Sequence, residues 1–145
     1  MPAAATVDAV ARHTFAASPD DVFAAWLTPQ RITQWFGPGL GPLTQVQIDA
    51  RVGGLFSIVQ QRGDVPAAHA GEYLHIDRPR RLVFTWRVPP DTQEPSTVSV
   101  DITPLASGGC TATVTHTMAA QWAPFADRAS ESWLRMLQAM DGASD

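Results

Sequence analysis

The stretch from Gly71 to Trp86, GEYLHIDRPRRLVFTW, constrains this chain more than any other. Leu74 and Ile76 alternate with polar neighbours, Arg78-Pro79-Arg80 interrupts the run, and Leu82, Phe84 and Trp86 resume it. Alternation on both sides of a break predicts an antiparallel hairpin with one apolar face. Glu72 shares the parity of Leu74 and Ile76, which places a carboxylate on that face and points to a lined cavity behind it.

The same period of two runs from Pro42 to Met118. Val46 and Ile48 lead into Gly53-Gly54, where positive φ is free of steric cost, and Phe56 and Ile58 follow on the next strand. Gln60 to Ala67, with Arg62-Gly63-Asp64 and Pro66, reads as a further turn, and Pro89-Pro90-Asp91 through Pro95 as a longer polar loop. Val98, Val100 and Ile102 share one parity; Ala112, Val114, His116 and Met118 share another, opposite a row of threonines at 111, 113, 115 and 117. Each strand therefore has a dry face and a wet face.

Helical signals bracket this region. Thr6 to Ala17, with Val7, Val10 and Phe15, suits a first strand. Ser18-Pro19-Asp20-Asp21 then offers a hydroxyl cap, a proline at the first helical position and acidic groups at the positive end of the helix dipole. Thr28-Pro29 repeats the cap-plus-proline signal for a second short helix through Ile32, Trp35 and Phe36. From about Gln121 to Met140 apolar residues return at helical spacing, and Gly142 to Asp145 should fray. The order is strand, two short helices, six antiparallel strands and one long helix, an α+β architecture in which only that last helix is long enough to cover the sheet.

Composition narrows the function classes. A chain of 145 residues suits one domain, with an ordered core of about 6–141. Ten arginines, no lysines and fourteen acidic residues give a charge of −4, which supplies no basic field for nucleic acid. No run of about 18 apolar residues marks a membrane insertion, and the N-terminus lacks the features of a secretion signal, so a cytoplasmic protein is expected. The lone Cys110 reads as a structural thiol. His13, His69 and His75 do not form a metal-ligand spacing, neither a metal nor a cofactor is indicated, and no serine or cysteine carries a nucleophile motif.

Together these phrases resemble the SRPBCC, or START-like, helix-grip superfamily, and within it the group related to the activator of heat-shock-protein-90 ATPase. The resemblance spans about Val10 to Met140. It rests on Trp35-Phe36-Gly37-Pro38, Val52-Gly53-Gly54, Gly71-Glu72-Tyr73 with Pro79-Arg80-Arg81-Leu82-Val83-Phe84-Thr85-Trp86, and Trp133-Leu134 with Leu137. Phe36 stands where the family often has a second tryptophan, and Ser132 where glycine is frequent. The resemblance implies a curved antiparallel sheet of six to seven strands gripping the C-terminal helix, with a hydrophobic cavity between them. It implies no fixed chemistry, since fold alone does not set function.

By parity, the cavity face should present Phe56, Ile58, Gln60, Glu72, Leu74, Ile76, Leu82, Phe84, Trp86, Val98, Val100, Ala112, Val114 and His116. The last helix should add Phe125, Trp133, Met136, Leu137 and Met140, and Trp35 and Phe36 should open a glycine-rich lid running to Leu43. Five Trp, six Phe and four Met suit either a solid core or a pocket for an apolar or aromatic small molecule. Glu72 and His116 are the ionisable members of that face, with Gln60 a weaker polar candidate beside the Arg62-Gly63 turn: ligand anchors, an acid/base pair of a cyclase or hydrolase acting on a polyketide-like or aromatic substrate, or satisfied structural groups. A third reading is an interaction module, either a homodimer using Tyr73 and His75 on the convex face or a surface for a chaperone partner.

Overall fold

The structure, a computed structural model, describes residues 5–88 and 95–142; the Pro89-Pro90-Asp91 loop and Ala143-Ser144-Asp145 lie outside them. Strand β1 (Thr6–Phe15) is followed by helices α1 (Pro19–Leu27) and α2 (Pro29–Trp35). Six strands come next: β2 (Leu43–Ile48), β3 (Leu55–Arg62), β4 (Val65–Asp77), β5 (Arg81–Trp86), β6 (Ser96–Pro104) and β7 (Cys110–Ala119). A 3-10 turn at Ala120–Phe125 leads into α3 (Ala126–Gly142). All pairings are antiparallel, in the order β1-β7-β6-β5-β4-β3-β2, so the chain forms the expected helix-grip sheet.

The local signals act as their chemistry dictates. Ser18 Oγ accepts from Asp21 N at 3.2 Å, a cap that stabilises α1 by about 1 kcal/mol. Arg31 grips Asp21 through both terminal nitrogens, and Trp35 Nε1 donates to Ala25 O at 2.9 Å, so α1 and α2 lock together. Thr28 differs from its expected role: its hydroxyl donates back to Ala24 O at 2.7 Å and does not cap α2.

β1 turns Ala9, Ala11 and Phe15 inward and leaves Val10 exposed, contrary to the valine-based reading. The small alanines let α3 lie close to this edge strand, and Ser130 Oγ accepts from Val10 N at 3.1 Å, satisfying an edge donor. On α3 the residues Trp133, Met136, Leu137 and Met140 form the buried stripe. Cys110 is fully buried, and its thiol, pushed up first by burial and then by Asp21, meets Ala17 O at 3.6 Å.

The central correction concerns β4. The Gly63-Asp64 turn has two residues, so β3 and β4 extend to Arg62 and Val65 and Pro66 lies within β4. That register pairs Phe56 with Gly71 and Ile58 with His69, which makes His69, Gly71 and Tyr73 the inward residues. The pairing then jumps from Tyr73↔Phe84 to His75↔Val83, leaving Leu74 as an extra residue. Beyond this bulge Ile76 faces inward opposite Leu82, as the hairpin reading requires. Before it the parity is reversed, so Glu72 and Leu74 lie exposed on the outer face. Gly71 is required where it stands, because a Cβ there would strike Thr85 O and the Phe56 ring.

Candidate functional site

Between sheet and helices the interior is mostly filled by rings. Trp26 lies 4.9 Å from Trp35 and 6.0 Å from Trp133, centroid to centroid, and Phe56 meets Phe84 edge-on at 5.4 Å. The deep space left among them is about 20 Å³, the room of a single water. Trp26 Nε1 has no partner among the described residues, so this apolar chamber carries one unsatisfied N–H.

A second space of about 260 Å³ lies nearer the surface. Its walls are the loop after α2 (Phe36, Gly37, Pro38, Leu40), Arg62 at the end of β3, His69 within β4, Trp86 at the end of β5 with Val88 beyond, His116 on β7, and Ala129, Ser132, Trp133, Arg135 and Met136 on α3. Phe36, Trp86 and Trp133 line both spaces and form the partition between them.

Gln60 sets the position of the loop. It is completely buried, its Nε2 donates to Gly37 O and Gly41 O at 2.9 Å each, and its Oε1 accepts from Arg62 Nε at 2.8 Å. Gly37 adopts φ +52, and a Cβ there would collide with the Gln60 carboxamide, so the glycine is needed both for its conformation and for its size. The loop expected as a lid is therefore tied down from beneath.

Both histidines of the pocket are held neutral. The Trp133 indole N–H donates to His116 Nδ1 at 3.1 Å, so the ring proton sits on Nε2 and is given to Ser96 Oγ at 2.7 Å. Ser96 in turn donates to Trp86 O at 3.1 Å. Burial lowers the His116 pKa to about 4. His69 is buried against Phe36 and Trp86 with Nδ1 3.3 Å from Ile58 O; burial and then the Arg62 charge lower its pKa. Tyr73, expected on the convex face, is buried against Phe56 and Phe84, and burial followed by the Asp49 charge raises its pKa.

The residues expected at the site sort into four groups. Phe36, Trp86, His116, Trp133 and Met136 line the outer pocket, while Trp35, Phe56, Ile58 and Phe84 line the inner one. Val100, Val114, Leu137 and Met140 are buried core that lines neither. Glu72, Leu74 and Phe125 stand exposed and away from it, Phe125 because it falls in the 3-10 turn against Trp122. Glu72 and His116 occupy opposite faces of the sheet and form no pair. Sequence reasoning passed over Arg62, His69 and Arg135; the two-residue Gly63-Asp64 turn carries the signal for His69, since it fixes Ile58 opposite that residue. Among the described residues no cluster of three or more His, Cys, Asp or Glu is placed to hold a metal, and no helix is long and apolar enough to cross a membrane.

The family model described as "Activator of Hsp90 ATPase homolog 1-like protein" matches residues 16–144. The chain belongs to this family. Among curated proteins no match was found. Solved structures of the same fold include CV1439 from Chromobacterium violaceum, at TM-score 0.79 and 21% identity over 94% of both chains. Ms6760 from Mycobacterium smegmatis superposes at TM-score 0.80 and 21% identity, over 93% of this chain and 88% of its own. SA2116 from Staphylococcus aureus, described as a protein of unknown function, reaches TM-score 0.84 at 16% identity over 98% of this chain and 95% of its own. At these identities the likeness carries the fold of the family and no activity.

Proposed function

We propose that this Hsp90-activator-like domain is a small-molecule-binding protein that holds an apolar or aromatic ligand in the outer pocket. The observation that carries the reading is the 260 Å³ space walled by Phe36, Trp86, Trp133 and Met136, beside a deep core that has no comparable room. An engineered apolar cavity of roughly 150 Å³ accepts benzene, so this pocket suits a body of one to two rings. Trp86 and Trp133, whose rings meet at 5.4 Å, would stack on such a body and report it by fluorescence.

A cyclase or hydrolase using Glu72 and His116 finds less support. Both His116 nitrogens are engaged, and the carboxylate lies on the other side of the sheet. A dimer through Tyr73 and His75 has only the exposed His75 to use, because the Tyr73 ring is buried.

Native mass spectrometry of protein purified from its own host, followed by thermal-shift titration of whatever co-purifies, tests the ligand reading. A specific bound mass that raises the melting temperature with dose supports it. Empty protein, unshifted by a panel of one- and two-ring apolar compounds, would favour an interaction module in its place.

A further inference from the structure

We propose that the ligand of the outer pocket carries a carboxylate, and that Arg62 and Arg135 receive it. This rests on the ligand-pocket reading and names the chemical class. The chain has fourteen acidic residues against ten arginines, yet among the described residues two arginines and no Asp or Glu line the pocket. Arg31, Arg51, Arg78, Arg80 and Arg81 each have an aspartate within 4 Å. Neither Arg62 nor Arg135 has a carboxylate partner among the described residues.

Arg62 is also held in position. Its Nε donates to Gln60 Oε1, and Gln60 is anchored to two carbonyls of the loop that forms the pocket wall. With Nε engaged, the two terminal nitrogens remain as the side-by-side pair that matches the two oxygens of a planar carboxylate. Its field already reaches the lining, because it contributes to the lowering of His69. Arg135 comes from α3 on another wall. With the pKa values of His69 and His116 both lowered, the positive charge among the described lining residues comes from the two arginines, beside the apolar walls of Trp86, Trp133 and Met136. An apolar or aromatic body against those walls with an anionic group towards the arginines satisfies both halves.

The probes are 2-naphthoate and its neutral counterpart 2-naphthalenemethanol, titrated by calorimetry into wild-type protein, Arg62→Met and Arg135→Gln. Naphthoate should bind wild type about tenfold or more tighter than the alcohol, the scale of one charge-assisted hydrogen bond. Each variant should lose most of that advantage, read as the ratio of naphthoate to alcohol affinity within the same variant. Arg135 makes no contact with the Gln60 anchor, so its variant remains informative even if Arg62→Met loosens the loop. Equal affinity of the two probes for wild type, or an advantage that survives both substitutions, overturns the carboxylate inference and leaves the pocket reading intact. Failure of both probes to bind wild type overturns the pocket reading, and this inference with it.

Discussion

The Trp133 indole N–H lies 3.1 Å from His116 Nδ1, and that contact fixes which nitrogen of the imidazole carries the proton. An indole nitrogen can only donate, so Nδ1 must accept, and the chain Trp133, His116, Ser96, Trp86 O is satisfied only while the histidine is neutral. A general base needs a lone pair free to receive a proton, and this imidazole has none to offer without breaking that chain.

The buried, neutral His116 makes stability depend on pH. Its pKa is about 4 in the folded protein, against about 6.5 when unfolded, so between those values the unfolded chain binds the proton and the folded one does not. The stabilisation is complete above about pH 6.5 and is lost as pH falls to about 4, with a size of order 3 kcal/mol. His69, also lowered, acts in the same direction. Urea unfolding at pH 7.5 and pH 4.5 should show His116→Gln losing about 2–3 kcal/mol less than wild type over this interval. Equal losses would mean that His116 does not contribute to the acid sensitivity.

Breaking the chain at either end should have separable effects. Ser96→Ala leaves the His116 Nε2–H buried without an acceptor and should cost about 1–3 kcal/mol. Trp133→Phe removes the donor that favours the neutral ring but keeps the burial that lowers its pKa to about 4, so the imidazole pKa should rise only part of the way towards its ordinary value. An NMR titration of the His116 ring protons reads this directly, and an unchanged midpoint would show that the indole bond does not set the protonation state.

Gln60 should matter far more than an ordinary polar residue. Gln60→Met keeps the volume but leaves Gly37 O and Gly41 O without their donor and frees Arg62 Nε. The expected loss is roughly 2–4 kcal/mol, with faster amide exchange confined at first to the loop after α2. Exchange that rises equally throughout the sheet would assign Gln60 to the general core.

Glu72 should behave as a surface residue. Glu72→Gln is expected to change stability by no more than about 0.5 kcal/mol, and to leave naphthoate affinity untouched. A larger loss of affinity would place its carboxylate at the pocket.

Much of the fold is written locally. The Ser18-Pro19 start of α1, the Arg78-Pro79-Arg80 break between β4 and β5, the threonine row of β7 and the Trp133, Met136, Leu137, Met140 stripe each depend on residues within a few positions of one another. Backbone preference and side-chain period act over that range, so the sequence by itself determined the element order, the antiparallel sheet and the helix that covers it. The tertiary structure decided what lies inside. The extra residue at Leu74 reversed the facing of Glu72 and Tyr73, because pairing with both β3 and β5 must hold at once and no local pattern records that conflict. His116 gained its partners from β6 and α3, Gln60 from a loop before β2, and Arg62 met Arg135 across one pocket. Those meetings depend on how the packed sheet and helix bring distant segments together.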